Sequence, residues 1–263
     1  AYIGVKSDQF GTAWIGSDDS TYETAIDKIG NFYEVGAYNI TAGGYDTGEG
    51  DLIQYKSPSF GGLTLAAAVQ VNGDDDTKAS RTISRSLMAL DEDGNRADVD
   101  VELERDTGDK SYPYQLAAMF EVDDLELAVA MDSNDGSNGD NENTYGLRAT
   151  YNMDNLSLTG QFQTRKDDAD AFGVHGVYTL GANQFSLAYE YVSFDKGQNG
   201  PQPGSPDVAT NITLQALHNL SDNMYVYAEG YIGGGDELYA IDEDAGVYTD
   251  ERSIAAVGAV YHF

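Results

Sequence analysis

The chain has 263 residues, with 45 acidic side chains against 14 basic ones and a formal net charge of −31 at pH 7. Such a surface repels phosphate backbones, so we expect no nucleic acid among its partners. Cysteine is absent, which excludes disulfides and thiolate metal sites. The acidic excess either attracts cations or reflects adaptation to a salty medium. No apolar run reaches the roughly 18 residues of a membrane helix, but membrane strands need only alternate apolar residues.

From its first residue the chain alternates with a period of two. Ile3 and Val5 share one face of the opening strand, and Tyr2 and Lys6 share the other. In all, thirteen alternating segments of about ten residues are present, the length that a tilted strand needs to cross a bilayer. The later apolar faces include Leu63, Leu65, Ala67 and Val69; Leu125, Leu127, Val129 and Met131; and Phe185, Leu187, Tyr189 and Tyr191.

The connections between these segments alternate strictly between short and long. Short connections follow Lys6, Ser57, Val122, Tyr151, Leu180 and Leu220, whereas long connections follow Gly16, Val71, Met131, Arg165, Phe194 and Ile232. Short turns at one end and long loops at the other are typical of membrane barrels. The second long loop runs from Asn72 to Ser111, and the last from Gly233 to Glu251.

This pattern predicts an all-β fold, a transmembrane antiparallel up-and-down β-barrel. Its polar faces carry too many charges and amides to pack as a dry core. We therefore expect Leu65, Val129 and Leu187 to face lipid, and Gln70 and Arg148 to face a wet interior. The reverse arrangement would indicate a soluble barrel.

The stretch from Ser17 to Gly50 is too long for a structureless connection in a compact domain. Ser20-Thr21-Tyr22-Glu23 fits the capping-box pattern for the start of a helix. One face of that helix would carry Tyr22, Ile26, Ile29 and Tyr33. We interpret residues 17–50 as a loop folded into the lumen, where it constricts a channel. The alternative is a surface loop with one helical turn.

Three blocks of sequence resemble a known family. Ala1–Lys6 with Phe10–Gly16 resembles the strand pair before the constriction loop of general trimeric porins of Gram-negative outer membranes. Ile53–Leu63 is similar to the strand, turn and strand that follow that loop. Val257–Phe263 is similar to the terminal strand, in which Tyr261 and Phe263 would form the signal read by the outer-membrane assembly machinery.

The resemblance implies a single porin domain over 1–263, located in the cell outer membrane. It implies sixteen strands, of which the first three would precede Ala1, so the sequence looks N-terminally incomplete. It further implies a homotrimer in contact with outer-membrane lipid and lipopolysaccharide. The implied activity is passive diffusion of small hydrophilic solutes and ions, and not an enzymatic reaction.

Charge at the constriction would set selectivity. The candidate loop acids are Asp18, Asp19, Glu23, Asp27, Glu34, Asp46 and Glu49, and the candidate basic residues of the pore wall are Lys6, Lys56, Arg148 and Arg165. For each one, an ordinary solvated charge is an equal alternative. Because acids outnumber bases so heavily, we predict a cation-selective channel.

Two other functions stay open. A substrate-selective channel, for example for sugars, would use lumen aromatics such as Tyr225, Tyr227 and Tyr231. A non-channel barrel would be an adhesin or a hydrolase, but His175, His218 and His262 are scattered over different strands.

We expect no cofactor and no defined metal site. The run from Asp132 to Gly136 echoes a calcium loop but lacks its spacing. Acidic loops such as Asp74–Asp76 and Asp91–Asp93 are candidates for loose binding of divalent cations, and solvated acidic tips are the alternative.

Overall fold

A computed structural model describes residues 1–29, 50–71, 80–90, 96–106, 112–134, 143–166, 168–194, 208–235, 239–242, 247–249 and 252–262. Its elements are β1 (Tyr2–Ser7), β2 (Gly11–Gly16), α1 (Thr21–Ile26), β3 (Leu52–Lys56), β4 (Leu63–Gln70), β5 (Ser80–Leu90), β6 (Arg96–Asp106), β7 (Tyr114–Val122), β8 (Leu125–Asp132), β9 (Thr144–Met153), β10 (Leu156–Arg165), β11 (Ala169–Leu180), β12 (Asn183–Phe194), β13 (Val208–Ser221), β14 (Met224–Gly235), β15 (Tyr239–Asp242), β16 (Val247–Thr249) and β17 (Arg252–Tyr261). Within the described ranges, every helix is too short or too polar to cross a bilayer.

Thirteen of these strands form one antiparallel sheet in up-and-down order. The order is β1-β2-β3-β4-β7-β8-β9-β10-β11-β12-β13-β14-β17, so each strand pairs with the strands of this sheet that precede and follow it in the chain. The thirteen strands visible in the sequence pattern and their antiparallel up-and-down topology are confirmed. Short turns join β7 to β8 and β9 to β10, where Asp123 and Asp154 take positive φ values of 49° and 32°. Aspartate tolerates this left-handed backbone better than most residues, which suits it to these turns.

Two of the long connections contain hairpins that our reading of the sequence missed. Strands β5 and β6 pair in a separate two-stranded sheet, and β15 pairs with β16 in another. Treating 72–111 and 233–251 purely as loops was therefore wrong. A period-two signal was present in β6, where Val99, Val101 and Leu103 alternate with acids. The dense charge around these residues concealed it.

The two faces of the main sheet are oriented as predicted. Leu65, Val129 and Leu187 are 47%, 51% and 54% exposed, whereas Gln70 and Arg148 are only 2% and 6% exposed. The apolar residues thus lie on the outer surface of the sheet, and the polar residues point inward. This arrangement suits a wall that faces lipid outside and water inside.

We predict that Leu65→Arg destabilises the folded protein by about 1–4 kcal/mol, a cost that rises with depth in the bilayer, because a charge on the lipid face must leave water. Thr64→Arg is the matched control, since Thr64 is the adjacent residue on the inner face of β4 and is half-buried. Denaturant unfolding in lipid vesicles measures both. Equal destabilisation by the two substitutions would contradict the assigned orientation.

Candidate functional site

A short segment, residues 20–29, crosses the inner face of the sheet and begins with a capped helix. The Ser20 hydroxyl accepts a hydrogen bond from the backbone N–H of Glu23 at 3.3 Å, and the Glu23 carboxylate accepts one from the backbone N–H of Ser20 at 3.4 Å. This reciprocal pair confirms the predicted capping box. The helix α1 then ends at Ile26, and Asp27 is its C-cap.

The apolar face of α1 is fully buried against small side chains of the wall. Tyr22, Ala25 and Ile26 are each 0% exposed. They pack in one hydrophobic cluster with the alanines Ala66, Ala117, Ala128 and Ala130, which belong to β4, β7 and β8. The alanines leave room for the larger helix side chains, each of which gains about 1.5–3 kcal/mol on burial. The described part of the predicted loop, residues 20–29, is therefore packed against the inner face of the sheet.

Glutamine side chains of the wall hold the start of the helix. Gln54 Oε1 accepts from the Thr21 hydroxyl at 2.8 Å, and Gln115 Oε1 accepts from the Tyr22 backbone N–H at 2.7 Å. The Tyr22 hydroxyl donates to Gln163 Oε1 at 3.0 Å. These bonds satisfy helix groups that would otherwise be buried without partners.

A buried arginine holds the end of the helix. Arg148 Nε donates to the carbonyl oxygen of Ala25 at 2.8 Å. Its Nη1 donates to the Glu126 carboxylate at 3.2 Å and to the Thr150 hydroxyl at 2.8 Å. Since Arg148 is 6% exposed, the ion pair with Glu126 offsets the cost of burying its charge.

The segment remains attached to the wall beyond the helix. The backbone N–H of Lys28 donates to Gln161 Oε1 at 3.4 Å, and the backbone of Lys28 also hydrogen-bonds His175. Ile29 is 1% exposed and lies over Gly173 of β11. Residues 20–29 therefore run sideways across the wall from β3 to β11.

A second layer of hydrogen bonds fixes the orientation of Gln115. Its Nε2 donates to Asp132 Oδ2 at 2.7 Å, so its Oε1 must face the helix. The other carboxylate oxygen of Asp132 accepts from the backbone N–H of Asn134 at 2.8 Å, and Asn134 Nδ2 donates to Thr144 Oγ1 at 2.7 Å. Asp132, the first residue of the calcium-like run, thus supports the helix. Within the described ranges, no group of three His, Asp or Glu residues is arranged to hold a metal ion.

The described loop acids lie beside the buried face of the segment. Glu23 and Asp27 are half-buried and follow Tyr22 and Ile26 by one position, about 100° further around a helix. One carboxylate oxygen of Asp27 is itself buried. Asp18 is half-buried, and Asp19 is exposed. The segment also carries Lys28, an exposed cation that our sequence analysis did not single out. Glu34, Asp46 and Glu49 lie outside the described residues.

The predicted wall cations separate into different environments. Lys6 and Lys56 are exposed and stand level with each other, because each is the register partner of Thr12. Arg148 instead lies under the helix. Arg165 is at the end of β10, 3.7 Å from Asp168. The structure thus brings Lys6 and Lys56 together and leaves the two arginines apart from them. Of the two predicted assembly-signal residues, Tyr261 is 60% exposed on the outer face, and Phe263 lies outside the described residues.

Aromatic residues gather on the inner face where β14 meets β17. The rings of Tyr225 and Tyr227 have centroids 6.3 Å apart, and His262 lies 6.1 Å from Tyr225. Tyr227 lies directly over its register partner Gly258, where an added Cβ would meet the tyrosine ring at 2.5 Å. Tyr231, further along β14, is 4% exposed. The ring of Tyr227 is thus pressed against the wall.

The three histidines do not lie together. His175 Nε2 hydrogen-bonds the Ser186 hydroxyl at 2.7 Å, and His218 Nδ1 hydrogen-bonds Asn183 Oδ1 at 2.8 Å. His262 belongs to the tyrosine group described above. Each histidine therefore takes part in a separate local contact.

Several site residues escaped the sequence analysis. The helix-binding residues Gln54, Gln115, Gln161 and Gln163 and the glycines Gly146 and Gly173 were not proposed as site residues. The available signal was the recurrence of glutamine at inward positions of β3, β7 and β10, together with glycine at inward positions of β9 and β11. A glutamine there can both donate and accept.

Comparisons with known sequences point to one protein family. A profile described as Gram-negative porin matches residues 1–232. The "Monosaccharide porin" of a Halomonas species and the "Major outer membrane protein" of Halomonas elongata are each 25% identical, in alignments that cover 87% of this chain and 65% of each relative. The chain therefore spans less than two thirds of the length of these relatives.

Solved structures show the same fold. OmpF of Salmonella typhi in complex with daunomycin superposes with a TM-score of 0.65 at 14% identity, over 99% of this chain and 77% of that one. The anion-selective porin from Comamonas acidovorans gives 0.57 at 14% identity, over 98% and 73%. Identity this low supports the architecture and does not transfer selectivity.

We predict that Arg148→Met loosens the segment, because the Ala25 carbonyl loses its charged donor. One lost hydrogen bond to a charged group, about 1.5–3 kcal/mol, corresponds to at least a tenfold faster exchange of the amides that local opening exposes. Hydrogen exchange of residues 20–29 measures this effect. Lys56→Met is the control, since Lys56 is exposed on the inner wall. Unchanged exchange in Arg148→Met would contradict the anchoring role.

Proposed function

We propose that this chain, which belongs to the Gram-negative porin family of the outer membrane, forms a water-filled passage for passive diffusion of small hydrophilic solutes and ions. The observation that supports it is the segment 20–29, which is packed and hydrogen-bonded to the inner wall while its charged residues stay at least partly exposed. The family and the named relatives favour a channel over an enzyme. Passage then depends on the width and charge left beside the segment.

We further propose that the passage prefers cations. Glu23 and Asp27 are half-buried beside the apolar face of the helix, and Asp18 precedes it. The guanidinium of Arg148 is paired with Glu126 and buried, so it contributes little to the field in the lumen. The positive charges of Lys6, Lys56 and Lys28, which are exposed, partly offset the charge of these acids. The anion-selective Comamonas porin has the same fold, so selectivity must follow from these side chains and not from the barrel.

The proposal includes the partners that the family resemblance implies. The exposed apolar outer face, with residues such as Leu65, Val129 and Leu187, supports contact with lipid and with the acyl chains of lipopolysaccharide. Assembly as a homotrimer through the outer-membrane assembly machinery belongs to the same proposal.

A second candidate is a sugar-selective channel. One relative is named a monosaccharide porin, and the rings of Tyr225 and Tyr227 lie on the inner wall of β14. Aromatic rings offer an apolar face with a polar edge, which suits the mixed surface of a sugar. Tyr227 packs over Gly258 on the inner wall, which fixes the position of its ring beside Tyr225.

We predict that the double variant Glu23→Gln/Asp27→Gln shifts the reversal potential toward lower cation preference, since two carboxylates leave the constriction. Glutamine at position 23 keeps an acceptor for the capping box. Reversal potentials across a KCl gradient in planar bilayers measure the change. The matched control is Asp123→Asn/Asp124→Asn, which removes two acids from a short turn. An equal shift in both variants, or none in the first, would refute the assignment.

We predict for the second candidate that glucose reduces the ion current of the wild-type channel and that Tyr225→Ala/Tyr227→Ala weakens this block several-fold. Loss of stacking, about 0.5–1.5 kcal/mol for an aromatic pair, corresponds to roughly a threefold to tenfold weaker affinity. Titration of single-channel current with glucose gives the affinity. If glucose leaves the wild-type current unchanged, the sugar-selective candidate fails and the general diffusion channel stands.

A further inference from the structure

The part of the wall that contacts the helix is formed by four strands, and their register decides which residues lie there. Ala66 pairs with Ala117, Ala117 with Ala130, and Ala130 with Gly146. These positions share the inner face and lie side by side across β4, β7, β8 and β9. Residue size falls from alanine to glycine at the fourth position, which is where the two largest side chains of the helix meet the wall.

Gly146 is in direct contact with the helix. A Cβ placed on Gly146 would lie 2.6 Å from the Tyr22 hydroxyl oxygen, 2.7 Å from Ile26 Cγ1 and 2.9 Å from Ile26 Cγ2. Carbon atoms in ordinary contact are about 3.5–4.0 Å apart. An alanine at 146 would therefore require a movement of roughly 1 Å.

Neither helix side chain can yield easily to such a Cβ. The Cγ atoms of Ile26 are bonded to its Cβ, and a branched side chain has little χ1 freedom in a helix. The Tyr22 hydroxyl is held by Gln163 at 3.0 Å. Backbone conformation does not require glycine at 146, since its φ lies outside the left-handed region. An alanine would otherwise suit the strand interior better than glycine.

We infer that Gly146 is a positioning residue whose missing side chain sets how closely the constriction segment lies against the wall, and therefore how wide the passage is. This inference rests on the proposed channel function. With any larger residue at 146, the helix must move away from the wall into the lumen. The movement narrows the passage and lengthens the hydrogen bond from Arg148 Nε to the carbonyl oxygen of Ala25.

Gly173 supplies a matched control on the same wall. A Cβ there would lie 2.5 Å from Ile29 Cδ1, which is the far end of a flexible side chain. A rotamer change of Ile29 relieves that contact without moving the helix. The two glycines thus face the same segment and differ in what an added methyl group displaces.

The experiment is a double-mutant cycle on Gly146→Ala and Ile26→Ala, measured by single-channel conductance and by the size of the largest permeant sugar oligomer. We expect Gly146→Ala to lower conductance by roughly a third, as the narrowed pore diameter requires. Gly173→Ala should match the wild type. In the Ile26→Ala background, Gly146→Ala should have little effect, since two of its three close contacts are gone.

Other results would also support or overturn the role inferred for Gly146. Unchanged or higher conductance in Gly146→Ala overturns the inference, as does an equal loss in both backgrounds, because the effect would then not depend on Ile26. If Gly146→Ala does not fold, recovery of folding in the double variant supports the inference, and failure of both overturns it. If the wild type forms no channel, the proposed function fails, and the same cycle read by thermal unfolding still tests the contact of Gly146 with Ile26.

Discussion

The structure depends on the pairing of backbone groups within the sheet, since lipid offers them no partners. That pairing fixes which residues face outward and which stand beside each other on the inner face. The row Ala66, Ala117, Ala130 and Gly146 exists only because the four strands are in this register. A shift of one residue in a strand would bring an outer residue into the row, for example Leu65 in β4 or Leu116 in β7. The surface that contacts the helix is therefore a consequence of strand register.

The segment 20–29 does not pair with a strand. Side chains of the wall must therefore provide hydrogen-bond partners for its polar groups. Neutral amides do most of this, because a glutamine accepts and donates without the cost of burying a charge. Among the described residues, Arg148 is the one buried Lys or Arg side chain, and it lies where a helix ends and its carbonyls carry partial negative charge. Its charge is offset by Glu126. The wall therefore holds the segment without adding a strong field, which leaves the acids and lysines to set the selectivity that we propose.

Local patterns were readable from the sequence, whereas contacts across the lumen were not. The period of two gave the thirteen strands, and Ser20 with Glu23 gave the start of the helix. The contact between Tyr22 and Gln163 joins residues 141 positions apart, and no local pattern reports the register that brings them together. The inward position of Arg148 was predicted, but its burial under Ala25 depends on where the segment crosses the wall. Gly146 could be read only as a glycine at an inward position, because its role depends on contacts with Tyr22 and Ile26 of another element.

In the proposed channel, Glu23 joins folding and selectivity in one residue. Its carboxylate completes the capping box with Ser20, and it is half-buried beside the apolar face of α1. An N-cap contributes roughly 1 kcal/mol to such a helix, and the burial of Tyr22 and Ile26 contributes more. The apolar contacts therefore fix the position of the helix, and the cap fixes the rotamer of Glu23. The width and the charge of the proposed passage then both depend on how α1 is held against the wall.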